Sequence, residues 1–199
     1  SAHIKDPGIT WHTICIDFIG PMNECPVDQR YALVVVDVHS RWAIVKFMRD
    51  ITTKPTISIL NEIYMGEGYS KVIISDNGTQ LVSAEMKSFL VCHDKHNRTA
   101  LYNPQGNGIV ERFNRMVKGT IQLAMANRRD VRKLTNEMVW AYRTTVHSTT
   151  KRVPFNDMRG RMPGSRMVPA WFKALKEGND ITVMAIECGD LVKIKSGRI

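Results

Sequence analysis

Three acids stand where the chain passes from one element to the next: Asp17 in ICIDFIGP, Asp76 in VIISDNGTQ and Glu111 in NPQGNGIVERFNR. Carboxylates at strand ends and at a helix start can converge on one crevice, and hard oxygen ligands of that kind suit Mg²⁺. Two such ions roughly 4 Å apart activate an attacking oxygen and steady a leaving one during in-line phosphoryl displacement. Each acid alone has a plainer reading. Glu111, for example, would be an acid near the start of a helix, favoured by the dipole and by Arg115 four residues on. The three taken together point to metal-dependent chemistry on a phosphodiester.

Other sets of reactive residues are weaker. Asp37, His39 and Ser40 in VDVHSRW superficially offer a nucleophile, a base and an orienting acid, yet the segment reads as a tight turn in which Asp and Ser cap backbone amides. His93 and His96 flank a helix end with no third soft ligand nearby in the sequence, and Glu24 and Asp28 read as solvated loop acids. Cys15, Cys25, Cys92 and Cys188 show no CxxC spacing, so neither a disulfide framework nor a zinc knuckle is indicated and a reducing compartment is expected.

The elements that must position the three acids are legible from periodicity. Residues 11–19 alternate, with Ile14, Ile16 and Phe18 on one face and Thr13, Cys15 and Asp17 on the other. YALVVVDV (31–38) is a continuous β-branched run suited to a strand buried on both faces, and SRW turns it into AIVKFM (43–48), giving an antiparallel meander. A helix follows, with Thr53 as its expected N-cap and Gly66 and Gly68 at its end; then come a strand over 71–75, a helix over 83–93 capped by Ser83, and a strand over 97–101. The order is βββαβαβα with further helix beyond, an α/β fold without internal repeats.

The next helix is expected to start near Ile109. With Glu111 at 0° and about 100° per residue, Val110, Phe113, Val117, Ile121 and Ala124 form an apolar stripe between about −80° and −160°, while Arg115, Lys118 and Gln122 lie within about 40° of Glu111. Before it, Pro104, Gln105, Gly106, Asn107 and Gly108 read as a turn whose glycines give freedom to a loop carrying Glu111. The net charge is +9 and the pI near 9.6, which favours a polyanionic partner. Residues 112–133 and 151–176 carry +6 each, so the positive charge is concentrated in two segments. No stretch approaches the roughly 18 apolar residues of a membrane span, and the N-terminus lacks a signal-peptide core, so a soluble intracellular protein is expected.

Asp17 in IDFIGP, Asp76 in SDNGTQL and Glu111 in NPQGNGIVERFNR resemble the D,D,E signature of retroviral and LTR-retrotransposon integrase catalytic cores. AYRTTVHSTTKRVPFNDMRGR and ECGDLVKIK resemble the downstream region of Gypsy/Ty3-type elements, so the likeness runs from about Trp11 to Lys195. It implies an RNase H-like fold with a five-stranded mixed sheet. It further implies Asp17, Asp76 and Glu111 as catalytic ligands of two Mg²⁺ ions, with Mn²⁺ as a substitute, and a mobile active-site loop over 104–108. Asn114, Arg115, Lys118 and Gln122 are the expected DNA contacts. The implied reaction is 3′-end processing and strand transfer of element DNA into target DNA, by a homo-oligomer acting in the nucleus.

The sequence departs from the family in several places. Between Asp76 and Glu111 lie 34 residues, one fewer than the family's usual spacing, and Asn103 stands where His is common. His3, His12 and Cys15 lack the spacing of the family's upstream zinc module. The expected organisation is a catalytic core over 1–157, a basic linker over 158–186 and the start of an SH3-like module over 187–199, as in a core-containing fragment or a chain whose other modules were lost. A catalytically silent, domesticated DNA-binding relative and a purely hydrolytic RNase H-like nuclease are the alternatives.

Overall fold

The structure is a computed structural model and describes residues 6, 8–75, 81, 83–93, 98–101 and 104–162. Five strands, β1 (Thr13–Ile19), β2 (Tyr31–Asp37), β3 (Ala43–Met48), β4 (Val72–Ser75) and β5 (Arg98–Leu101), form one sheet in the order β3-β2-β1-β4-β5. The helices are α1 (Thr53–Glu67), α2 (Ala84–His93), α3 (Pro104–Ala126), α4 (Val131–Thr144) and α5 (Pro154–Arg159). β1, β2 and β3 pair antiparallel, while β4 and β5 join in parallel, so the sheet is mixed, as the family resemblance implied.

Alternation along the strands divides the core into two layers. Cys15, Ile19, Val34 and Val36 pack on the side of α3 and α4, with Phe113, Val117, Ile121, Leu134 and Met138. Ile14, Ile16, Leu33 and Val35 face the other way, against Leu60 and Ile63 of α1, Met86 and Leu90 of α2, and Phe155 of α5. The period of two therefore sets Asp17, between Cys15 and Ile19, on the α3 side of the sheet. β2 is buried on both faces, which explains its unbroken β-branched composition. Burial also pushes the Cys15 thiol up to about 12, leaving it an inert core residue.

Helix ends follow capping chemistry with small corrections. Ser83 caps α2, its Oγ accepting from Met86 N–H at 3.2 Å. α1 is preceded by extended Thr52 in place of the expected Thr53, and the Thr52 hydroxyl donates to Asp50. α3 starts at Pro104, about five residues earlier than expected, so residues 104–108 are helical and not a turn. Proline lacks only an N–H that a first helical residue leaves unused, and Gly106 and Gly108 so near the end weaken the helix without breaking it. α5 runs to Arg159, whose guanidinium bonds Glu67 of α1 at 2.8 Å. The expected modules over 163–199 lie outside the described residues. Among the described residues no helix is long and apolar enough to cross a membrane.

The chain leaves β1 through Gly20 at φ +128°, where a Cβ would lie 2.6 Å from the Tyr31 ring and 2.7 Å from the Arg30 carbonyl oxygen. Only glycine fits both the dihedral and the backbone approach. Gly20→Ala should therefore lower unfolding stability by about 1–3 kcal/mol in a denaturant titration. A change within about 0.5 kcal/mol would contradict this.

Candidate active site

Asp17 sits two residues before the end of β1, partly exposed and paired across the sheet with Val34. Its Oδ1 accepts from Phe18 N–H at 2.8 Å, and its Oδ2 accepts from Asn114 Nδ2 at 2.6 Å. The second bond ties the strand to α3. It exists because α3 lays Val110, Phe113, Val117 and Ile121 onto the sheet, with Phe113 edge-on to Tyr142 of α4 at 4.7 Å between ring centres. That packing turns the adjacent Asn114 inward, where it is 6% exposed.

Glu111 lies on α3 three residues before Asn114, one turn away on a neighbouring face, and is exposed. The structure thus brings an accessible carboxylate within a helical turn of the side chain that touches Asp17. Ser75, the residue before Asp76, pairs with Ile16, the residue before Asp17. Asp76 itself lies outside the described residues. Among the described residues no three His, Cys, Asp or Glu side chains cluster to hold a metal.

Arg115, Lys118 and Gln122 are exposed along the edge headed by Glu111, as the helical wheel places them. Asn114, expected with them as a DNA contact, is buried against Asp17 and does not face solvent with the other three. The wheel contained the signal, since Asn114 falls at about −60°, only about 20° from Ile121 in the apolar stripe. Among the described residues its Oδ1 is buried without a partner, while its NH₂ group donates to Asp17. Residues 104–108, expected as a loop, form the opening turns of α3.

Sequence reasoning missed two further contacts. Arg112 donates through Nη1 to Thr149 Oγ1 at 3.2 Å, linking the residue after Glu111 to the segment between α4 and α5. That segment is anchored by buried His147, edge-on to Tyr142 at 5.8 Å. Asp28 is exposed, as expected, and also accepts from Arg132 of α4 at 2.7 Å. The rival Asp37, His39 and Ser40 set is structural. Asp37 is fully buried and accepts from Trp11 N–H, Ser40 N–H and the Ser40 hydroxyl, whereas His39 Nδ1 pairs with Asp6 at 2.8 Å.

No family model matches the chain. Over 143 residues, 71% of its length, it is 39% identical to an uncharacterized Caenorhabditis elegans protein, K02A2.6. Over 117 residues, 58% of its length, it is 34% identical to the Gag-Pol polyprotein of baboon endogenous virus. The chain spans only 11% and 6% of the lengths of these two relatives. Among solved structures it is similar to the HTLV-2 integrase catalytic core domain in complex with magnesium, in its trimeric form. That match has a TM-score of 0.59 and 19% identity, covering 76% of this chain and 98% of that one. A simian T-cell lymphotropic virus intasome chain, from a complex with PP2A regulatory subunit B56 gamma, aligns with a TM-score of 0.67 and 18% identity, covering 84% of this chain and 63% of that one.

The Asn114 bond predicts a measurable cost. Asn114→Ala removes a side-chain donor to Asp17 Oδ2 and should lower stability by about 1.5–3 kcal/mol, the usual contribution of a hydrogen bond to a charged group. An Asn114→Ala protein as stable as the unmodified one would show that the bond holds nothing in place. In sequence a relative of retroviral Pol polyproteins, the chain carries the RNase H-like fold of an integrase catalytic core.

Proposed function

We propose that the protein is an integrase-type polynucleotidyl transferase that processes the 3′ ends of an element's DNA and joins them to target DNA. The observation that carries this reading is the 2.6 Å bond from Asn114 to Asp17, which fixes the helix turn bearing Glu111 against the strand bearing Asp17. The likeness to integrase cores and to Pol polyproteins supports the same assignment.

Asp17, Asp76 and Glu111 would hold Mg²⁺. The donor chemistry fits: an ionised carboxylate offers hard oxygen ligands with about four lone-pair sites, and Asp17 is partly exposed near the end of β1. Bound Mg²⁺ supplies the positive charge that lowers the pKa of an attacking oxygen and steadies a departing one. The protein's own part is positional. Asn114 and Phe18 N–H orient Asp17, α3 carries Glu111 to the same side of the sheet, and Arg112 braces the following turn on Thr149. Arg115, Lys118 and Gln122 continue from Glu111 along α3, where the two cations meet DNA phosphates and hold the scissile bond over the carboxylates. The HTLV-2 core was solved with magnesium, in dimeric and trimeric forms, which supports a metal-dependent, oligomeric enzyme here as well.

Two experiments test this reading. With preprocessed DNA ends and a plasmid target, Asp76→Asn should abolish joining in Mg²⁺ while leaving DNA affinity within about twofold, because affinity comes from Lys and Arg neutralising phosphates. Joining that survives the substitution would refute the metal assignment. Lys118→Glu should reduce the slope of log affinity against log salt by about 0.9, whereas Lys54→Glu on α1 should leave it unchanged. Equal slopes for the two variants would make α3's polar edge an ordinary solvated face.

A further inference from the structure

A groove of about 570 Å³ opens where the β1–β2 connection meets the end of α3, lined by Glu24, Cys25 and Pro26 on one side and Gln122, Met125 and Arg129 on the other. Its volume is that of a small-molecule site, roughly 300–1,000 Å³. Both walls are fastened. Arg132 of α4 bonds Asp28 at 2.7 Å, and Cys25 Sγ lies 3.7 Å from Met125 Sδ. Turn bonds from Cys25 N–H to the Met22 carbonyl and from Gln29 N–H to the Pro26 carbonyl hold the connection in shape.

The surroundings favour a polyanion. The turn NRRDVRK, residues 127–133, carries four cations and one acid, and that acid, Asp130, accepts Lys133 N–H at 2.8 Å as the α4 cap. Arg132 is paired with Asp28 and Glu24 lies in the groove wall, so Arg128, Arg129 and Lys133 supply the remaining positive charge. Arg128 and Lys133 are exposed at the groove's end of α3, and Arg129 is half-buried in its wall. Pro26 and Met125, in contrast, present flat or polarizable apolar surface, and Gln122 offers an amide that can both donate and accept. Cations beside an apolar slot suit a nucleotide, with a phosphate at the rim and a base inside, better than a peptide. Gln122 also lies on the polar edge of α3 that begins at Glu111, eleven residues and roughly 16 Å away.

We infer that this groove takes one unpaired nucleotide of the bound DNA, its base against Met125 and Pro26, its edge at Gln122 and its phosphate at Arg129. A base inside an intact duplex cannot enter such a slot, so the site discriminates a single-stranded tail from a blunt end. The inference rests on the reading of α3's polar edge as a DNA track, and the experiment separates the two.

The test compares binding of a blunt DNA duplex with that of the same duplex carrying a short single-stranded tail, using the full chain. The tailed DNA should bind roughly fivefold tighter or more. Met125→Ala and Arg129→Gln, one removing apolar contact and the other charge, should each reduce that preference while the response of blunt-duplex binding to Lys118→Glu persists. Equal affinity for tailed and blunt DNA would overturn the inference, as would a preference that survives both substitutions. Loss of the Lys118→Glu response would overturn the track on which it rests. Concentration-dependent self-association abolished by Met125→Ala, with no tail preference, would assign the groove to a second copy of the chain.

Discussion

The hydrogen bond between Asn114 and Asp17 couples two periodicities that must agree for the site to exist. β1 alternates every two residues, so a slip of one position would send Asp17 to the α1 side of the sheet. α3 turns about 100° per residue, so a rotation by one position would swing Asn114 away and bring a neighbour to its place. Phe113, Val117 and Ile121 demand the same rotation for apolar reasons that Asn114 demands for polar ones. Local and global preferences therefore converge on one seating of the helix, as expected of a sequence that specifies a single structure. Glu111 follows without any contact of its own being required.

The same helix divides its surface among three duties. The stripe from Val110 to Ala124 supplies burial, Asn114 at the stripe's margin supplies orientation, and the edge from Glu111 through Arg115 and Lys118 to Gln122 supplies charge to solvent. The remaining helices anchor this arrangement from outside. Arg143 of α4 stacks 3.9 Å over Trp42 and donates through Nε to the Ala43 carbonyl at 2.8 Å, which locks α4 to β3. Burial lowers this guanidinium to about 10, still far above neutrality, so its charge and stacking persist through the physiological range. α4 in turn holds Tyr142 against Phe113.

Much of this was legible in the residues. The alternation of β1 assigned Asp17 to the correct face, the β-branched run of β2 announced burial on both sides, and the wheel of α3 identified its stripe. Each signal arises from a repeating pattern that burial itself imposes. What escaped depends on single contacts between distant segments. Asn114 lies at the boundary of two faces, where a wheel alone does not decide whether an amide bonds solvent, DNA or a strand carboxylate. The surface ion pair of Asp28 with Arg132 was not legible because the two residues are 104 positions apart. The start of α3 was misplaced because Gly106 and Gly108 weigh toward a turn locally, while Pro104 at the first helical position and the packing of the following turns outweigh them.

Asp17, Asp76 and Glu111 are proposed to form one metal centre on the seating fixed by Asn114. Anomalous diffraction from crystals soaked in Mn²⁺ measures this most directly, because the ion reports its own position and its ligands. Manganese is expected at carboxylate oxygens of Asp17 and Asp76, at roughly 2.0–2.3 Å, with Glu111 completing a second position. Manganese bound elsewhere, with the Asp17 carboxylate unligated at saturating concentration, would contradict it.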